Sequence, residues 1–137
     1  MRRAEVGRYA ITALMATSGV MHFAQPRFYK AIVPHALGHE GEIVAISGAA
    51  ELACAAAMTI PQTRRLGGWL TALLLVAVFP ANVQAALDGG MQLLDPPLNS
   101  PLLAWARLPL QVPMILMAVG VARGTGPRPE EAPPERD

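Results

Sequence analysis

Cysteine is nearly absent from this chain, and the single one, Cys54, falls inside an apolar run. One thiol cannot make an internal disulfide, a C-x-x-C redox pair or a four-cysteine zinc site. Any redox role therefore needs a bound cofactor or another chain. Charge is also scarce: 15% of the 137 residues are charged and 5% are aromatic, where a soluble domain carries about 25% charged residues. The formal net charge of +1 comes from scattered arginines with no basic stripe or interleaved aromatics, which excludes nucleic acid as a partner. No nucleophile-plus-base pair, Gly-rich phosphate loop or convincing metal set is present, so no self-contained enzyme active site is legible. Whether the chain is an enzyme stays open.

What is abundant is small and apolar side chain: 53% of the residues are hydrophobic and the mean hydropathy is +0.34. A helix needs roughly 20 mostly apolar residues to cross about 30 Å of hydrocarbon. Four segments meet that need: Gly7–Gln25, Ile43–Ile60, Leu66–Leu87 and Leu102–Ala122. The uncharged part of the last, Leu108–Ala122, covers only about 22 Å at 1.5 Å per residue. Its helix must begin earlier and take Arg107 with it. Pro109 and Pro113 should kink it. The expected fold is all-α, a polytopic membrane four-helix bundle over residues 1–122, with a disordered Pro/Glu/Arg tail at 123–137 in the cytoplasm.

Arg2, Arg3, Arg8, Arg64, Arg65 and Arg123 lie on one side of this topology; the third connection has Asp88 and Asp95 and no Lys or Arg. Arg27 and Lys30 in the first connection weaken the asymmetry without reversing it. The positive-inside rule puts both termini in the cytoplasm. The apolar stretch after "MRR" is long and has no A-x-A-like site behind it, so it reads as a retained first helix and not a cleaved signal.

Depth along the helices then places the polar side chains. From the outer ends, His22 lies about 5 Å down, Asn82 and Arg107 about 7 Å, Glu51 about 12 Å and Gln111 about 13 Å. All fall in the outer half. Ser18–His22, Ser47–Glu51 and Arg107–Gln111 are i,i+4 pairs, each on one helical face. One outward-opening cavity shared by four helices is the reading, with His22, Glu51, Asn82, Arg107 and Gln111 as its ligand-binding residues. The competing reading is a closed core in which Glu51 pairs with Arg107. Ser18, Ser47 and Cys54 read as close-packing residues. Intramembrane carboxylates are functional candidates by default, which favours the first reading for Glu51.

The first outer connection, "PRFYKAIVPHALGHEGE", offers Phe28, Tyr29, Ile32 and Val33 as a short amphipathic segment lying in the membrane interface. His35, His39 and Glu42 raise a metal question, but Gly38 and Gly41 disfavour a regular helix through them. A solvated loop is expected, and no metal.

"SGVMHFAQPRFYKAIVP", "SGAAELA", "IPQTRRLGGWL", "VAVFPANV" and "RLPLQ", in this order and spacing, resemble the DoxX-like family of small four-helix membrane proteins. The likeness runs from about Gly7 to Ala122. It implies a four-helix bundle in the bacterial cytoplasmic membrane, with polar positions at His22, Pro26, Pro34, Glu51, Asn82 and Arg107. Some relatives in that family are redox-linked, which implies a quinone as the candidate cofactor and a membrane redox or assembly partner; a homo-oligomer is equally open. Related redox families use paired cysteines, a mechanism that Cys54 alone cannot supply. The function expected is a small amphipathic ligand held within a redox-linked membrane complex. The alternative is a non-catalytic factor that stabilises a partner membrane protein.

Overall fold

The computed structural model describes residues 2–124, so nearly all of the tail expected to be disordered lies outside the described residues. The described chain is helical: α1 Arg3–Ala24, α2 Pro26–Lys30, a 3-10 turn His35–Leu37, α3 Glu40–Thr59, α4 Arg64–Ala77, α5 Phe79–Leu87 and α6 Pro101–Arg123. No strand occurs among the described residues.

Proline and small polar residues set most of these ends. Pro26 opens α2 at its first position, where its missing N–H costs nothing. Ser100 caps α6, its Oγ accepting from the Leu103 N–H at 3.2 Å, and Pro101 follows as the first helical residue. α6 then runs unbroken through Pro109 and Pro113 and includes Arg107. The expected third span is interrupted: α4 stops at Ala77 and α5 begins at Phe79. Pro80 is the physical reason, since it lacks the N–H that would bond the Val76 carbonyl and its ring crowds that oxygen.

Three helical stretches among the described residues are long and apolar enough to cross a membrane: Glu40–Thr59, Arg64–Leu87 and Pro101–Arg123. α1 matches them in length with 22 residues, but Arg8, Thr12, Thr17, Ser18 and His22 dilute its hydropathy. It nevertheless packs as their equal. α1 lies against α3, α3 against α4, α4 against α6, and α6 returns to α1.

Glycines permit the closest approaches. A Cβ on Gly67 would stand 2.9 Å from the Met58 backbone nitrogen, and one on Gly68 2.5 Å from that of Ala122. The "LGGW" stretch thus brings α4 onto α3 and α6 at one end of the molecule. At that same end Arg64 donates from Nε to the Met58 carbonyl at 3.3 Å, and Arg65 to the Ala122 carbonyl at 3.1 Å. Both satisfy carbonyls that a helix C-terminus leaves without partners. The loop arginines therefore also tie helix ends together.

The core has two parts. Ile11, Met15, Met58, Ala72, Leu75 and Ala118 centre the larger one, toward the arginine-rich end. Ile32, Ala85 and Met91 form a smaller one, with Phe28 and Leu94 packed on it. Ile32 and Val33 are buried, so the first connection folds over the end of the molecule; they do not lie flat in an interface as the sequence suggested. Large apolar side chains face outward on every long helix, among them Val20, Ile46, Leu73, Leu102 and Leu116.

Candidate functional site

α1 and α3 cross where Gly19 meets Gly48 and Leu52, and where Gly48 lies beneath the His22 Cβ. The repeated pattern S-G-x-x-H and S-G-x-x-E puts a glycine one turn from each ionisable side chain. The close crossing therefore sets His22 against Glu51: Nδ1 is 3.3 Å from Glu51 Oε2. These side chains are 7% and 8% exposed, so the pair is buried. His22 Nδ1 is also 2.8 Å from the Ser18 carbonyl oxygen. A carbonyl only accepts, so Nδ1 carries a proton and directs it at Ser18. Glu51 Oε2 is then in electrostatic contact with the imidazole but has no hydrogen-bond donor of its own. An unpaired buried acceptor of this kind costs about 1–3 kcal/mol, more if charged.

Tyr29, carried by α2, stacks on the imidazole with ring centroids 3.7 Å apart and planes 25° from parallel. It covers one side of the imidazole. Burial pushes its phenol above the usual range; the Glu51 charge acts in the same direction, while the Ser18 hydroxyl and the Arg107 charge oppose it. Tyr29 therefore stands within electrostatic reach of both Glu51 and Arg107.

Arg107 does not pair with Glu51, and among the described residues Glu51 meets only His22 as an ion-pair partner. Its Nη1 donates instead to the Met91 sulfur, a weak acceptor. Arg107 shares a helical face with Ala104 and Gln111, three residues before and four after it, and both are buried while Arg107 is exposed. The inward face of α6 is thus closed at Gln111 and open at Arg107. The guanidinium is therefore accessible, and its charge reaches the Tyr29 phenol.

Asn82 and Gln111 form a separate unit. Asn82 Nδ2 donates to Gln111 Oε1 at 3.0 Å, and Gln111 Nε2 donates to the Leu75 carbonyl. Leu75 lies in the last turn of α4, where the break at Val78 interrupts the backbone ladder. Gln111 thus supplies a donor where α4 ends, and Asn82 holds its amide in that orientation. The five candidate residues accordingly divide: His22 and Glu51 pair, Arg107 turns to Met91, and Asn82 with Gln111 stitches α4, α5 and α6. Sequence reasoning placed Tyr29 in an interfacial segment and missed it as the cover; the available signal was an aromatic seven residues after His22, just past a helix-ending proline.

His39 pairs with Glu42 at 3.2 Å, both about three-quarters exposed, and His35 sits in the 3-10 turn. No group of three or more potential metal ligands occurs among the described residues. Cys54 is buried near Thr71 in the larger core.

Residues 11–122 match a family described as Domain of unknown function (DUF8561). The chain belongs to that family. The matched segment takes in Tyr29, Arg107, the His22–Glu51 pair and the Asn82–Gln111 stitch. No curated protein and no solved structure matches the chain. The family description assigns no activity and is silent on the DoxX-like likeness of the motifs.

Proposed function

We propose that this chain is an integral membrane four-helix bundle of the bacterial cytoplasmic membrane, with both termini in the cytoplasm. In this reading its outer end binds a small amphipathic ligand, a quinone or quinol headgroup being the fitting class, within a redox-linked membrane complex. Charge supports the orientation: Arg3, Arg8, Arg64, Arg65 and Arg123 gather at the end where Gly68 meets Ala122, while Glu40, Glu42, Asp88 and Asp95 lie at the other. The apolar exterior and the three long apolar helices support insertion. The DoxX-like order of motifs supports the redox context.

The observation that carries the ligand reading is a complementary pair of unmet polar needs flanking Tyr29. Glu51 Oε2 is a buried acceptor without a donor. Arg107 is a five-donor cation whose recorded partner is a thioether. A ligand that donates at one edge and accepts at the other, as a quinol or semi-reduced headgroup does, satisfies both. His22, hydrogen-bonded to the Ser18 carbonyl and stacked on Tyr29, sits 3.3 Å from the carboxylate.

Thermal melting of the purified protein with and without a chainless benzoquinol tests this. Stabilisation is expected in the wild type and is lost in both Glu51→Gln and Arg107→Leu. Identical shifts in all three proteins, or none in any, would remove the proposal.

A second reading, a non-catalytic assembly or stabilising factor, is favoured by one observation. α6 is the least buried of the three long apolar stretches, which leaves a broad face for a partner helix. Loss of a co-purifying membrane protein on changing Leu102, Leu110 or Leu116, with no loss on changing Glu51, would select this reading.

A further inference from the structure

Arg3, Arg8, Arg64, Arg65 and Arg123 gather at one end of the molecule. The ion pairs among the described residues, His22–Glu51 and His39–Glu42, include none of them. Glu5, the one carboxylate at that end among the described residues, accepts the Arg2 backbone N–H at 3.2 Å. That end is therefore a cationic surface short of counter-charge.

Arg65 is exposed and has a fixed geometry. Its Nε is held on the Ala122 carbonyl at 3.1 Å, and both Nη groups are without a partner among the described residues. Arg123 follows Ala122 directly. A Cβ on Gly7 would meet Met117 at 3.5 Å, which brings Arg3, one turn before Gly7, level with the last turn of α6. Three helices thus place positive charge around one oriented fork.

What lies beneath that charge identifies its partner. Trp69 sits one turn inward from Arg65 on the same face of α4 and is half exposed. Tyr9, also half exposed, carries Arg8 over its ring at 4.3 Å. Leu66, Leu70 and Leu73 are exposed alongside. Cation, aromatic and aliphatic side chain in that order match headgroup, interface and hydrocarbon. Exposed Trp105 stands near the other end of α6, about 27 Å from Arg123 at 1.5 Å per residue, close to the thickness of a bilayer core. A soluble acidic partner would meet the arginines and leave Trp69 and Leu73 uncovered; a phospholipid meets all of them.

We infer that Arg65 holds the phosphate of an anionic phospholipid at the corner between α4 and α6, with Trp69 against the lipid's glycerol and Arg3 and Arg123 adding charge. The inference rests on the membrane insertion proposed above and names a lipid partner for the end opposite Tyr29. Two Nη groups in one plane match two phosphate oxygens. A zwitterionic headgroup offers the same phosphate, but its own cation is repelled by Arg3 and Arg123, so the corner prefers phosphatidylglycerol to phosphatidylcholine.

The test uses the full chain in phosphatidylcholine nanodiscs doped with phosphatidylglycerol that bears a diazirine near the top of one acyl chain. Label is expected on Leu66, Trp69 and Leu70 about tenfold in excess over Leu102 and Trp105, the preference that one charge-assisted hydrogen bond supplies. The same diazirine on phosphatidylcholine should show no excess. Arg65→Gln should abolish the excess. Arg64→Gln removes the same charge from the same end but off the face of Trp69, and should leave most of it. Equal falls in the two variants would reduce the effect to diffuse charge and overturn the site, as would even label at both ends of the wild type, which needs no variant. Inorganic phosphate that abolishes the excess at matched ionic strength would assign the fork to a free anion and overturn the lipid. A severalfold rise in label on changing Glu130→Gln, Glu131→Gln, Glu135→Gln and Asp137→Asn together would give the fork to the chain's own tail, with the same consequence. Release of the chain from membranes by alkaline carbonate would overturn insertion and the inference with it; a carbonate-resistant chain with even label loses the inference alone.

Discussion

Gly48 lies directly beneath His22: a Cβ added to the glycine would stand 2.6 Å from the histidine Cβ. The histidine Cβ is tied to its own backbone and cannot swing away, so the crossing of α1 and α3 depends on hydrogen at that position. The same crossing brings Nδ1 to the Glu51 carboxylate. Packing and site are therefore one feature.

Gly48→Ala is expected to force α1 from α3 and to destabilise the protein by about 1–3 kcal/mol, as overpacking does. Gly68→Ala should cost at least as much, because the obstacle there is the Ala122 backbone. Gly41→Ala, which meets only the tip of Lys30, should change little. Melting temperatures in one detergent compare the three.

The Asn82–Gln111–Leu75 chain predicts an asymmetry. Gln111→Leu strips partners from both Asn82 and the Leu75 carbonyl, at about 1–3 kcal/mol for each buried group left unpaired. Asn82→Leu leaves only Gln111 Oε1 wanting and should cost less. The double variant should cost less than the sum of the two, and a double-mutant cycle in denaturant or heat measures the coupling.

Raising pH should act through Tyr29. Burial lifts its phenol above the usual value near 10, so the folded chain holds the phenolic proton more tightly than the unfolded one. The stability this group contributes is complete below about pH 10 and is lost as pH rises through the folded-state value. Melting curves between neutral and strongly alkaline pH should fall more shallowly in Tyr29→Phe. Equal slopes would mean that Tyr29 ionises as freely in the fold as out of it.

Orientation can be read by thiol labelling in a Cys54→Ala background. With both termini inside, Asp95→Cys reacts with an impermeant maleimide added to intact cells, while Arg123→Cys reacts only after the membrane is opened. The reverse pattern inverts the topology and places Arg107 and Tyr29 on the cytoplasmic side.

Arg65→Gln removes the cation from the C-terminus of α6. About 1 kcal/mol of stability should be lost with the hydrogen bond to Ala122, and Arg65→Lys should recover only part of it, since Lys lacks the Nε donor placed at that carbonyl.

Much of this was legible in the sequence, for reasons that can be named. Long uninterrupted apolar runs have few folded solutions, so the helices around Glu51 and Arg107 followed from composition and length. The short uncharged run in α6 required Arg107 to fall within the helix, as it does. The interruption before Pro80 was equally written in "FP", but its consequence, a carbonyl for Gln111 to serve, was not. Position along each helix ranks His22, Glu51, Asn82, Arg107 and Gln111 by height and carries no information on azimuth. It could not tell that Asn82 meets Gln111 while Arg107 turns to Met91.

Local chemistry by itself thus determined which segments are helical, where proline and serine start and stop them, and that ionisable groups cluster toward one end. Hydropathy and backbone geometry act within a few residues and need no partner. Which charge meets which was decided only by the tertiary structure, because pairing depends on how closely two helices approach. Here the absent side chain of Gly48 set that distance, and so gave Glu51 the histidine and not the arginine.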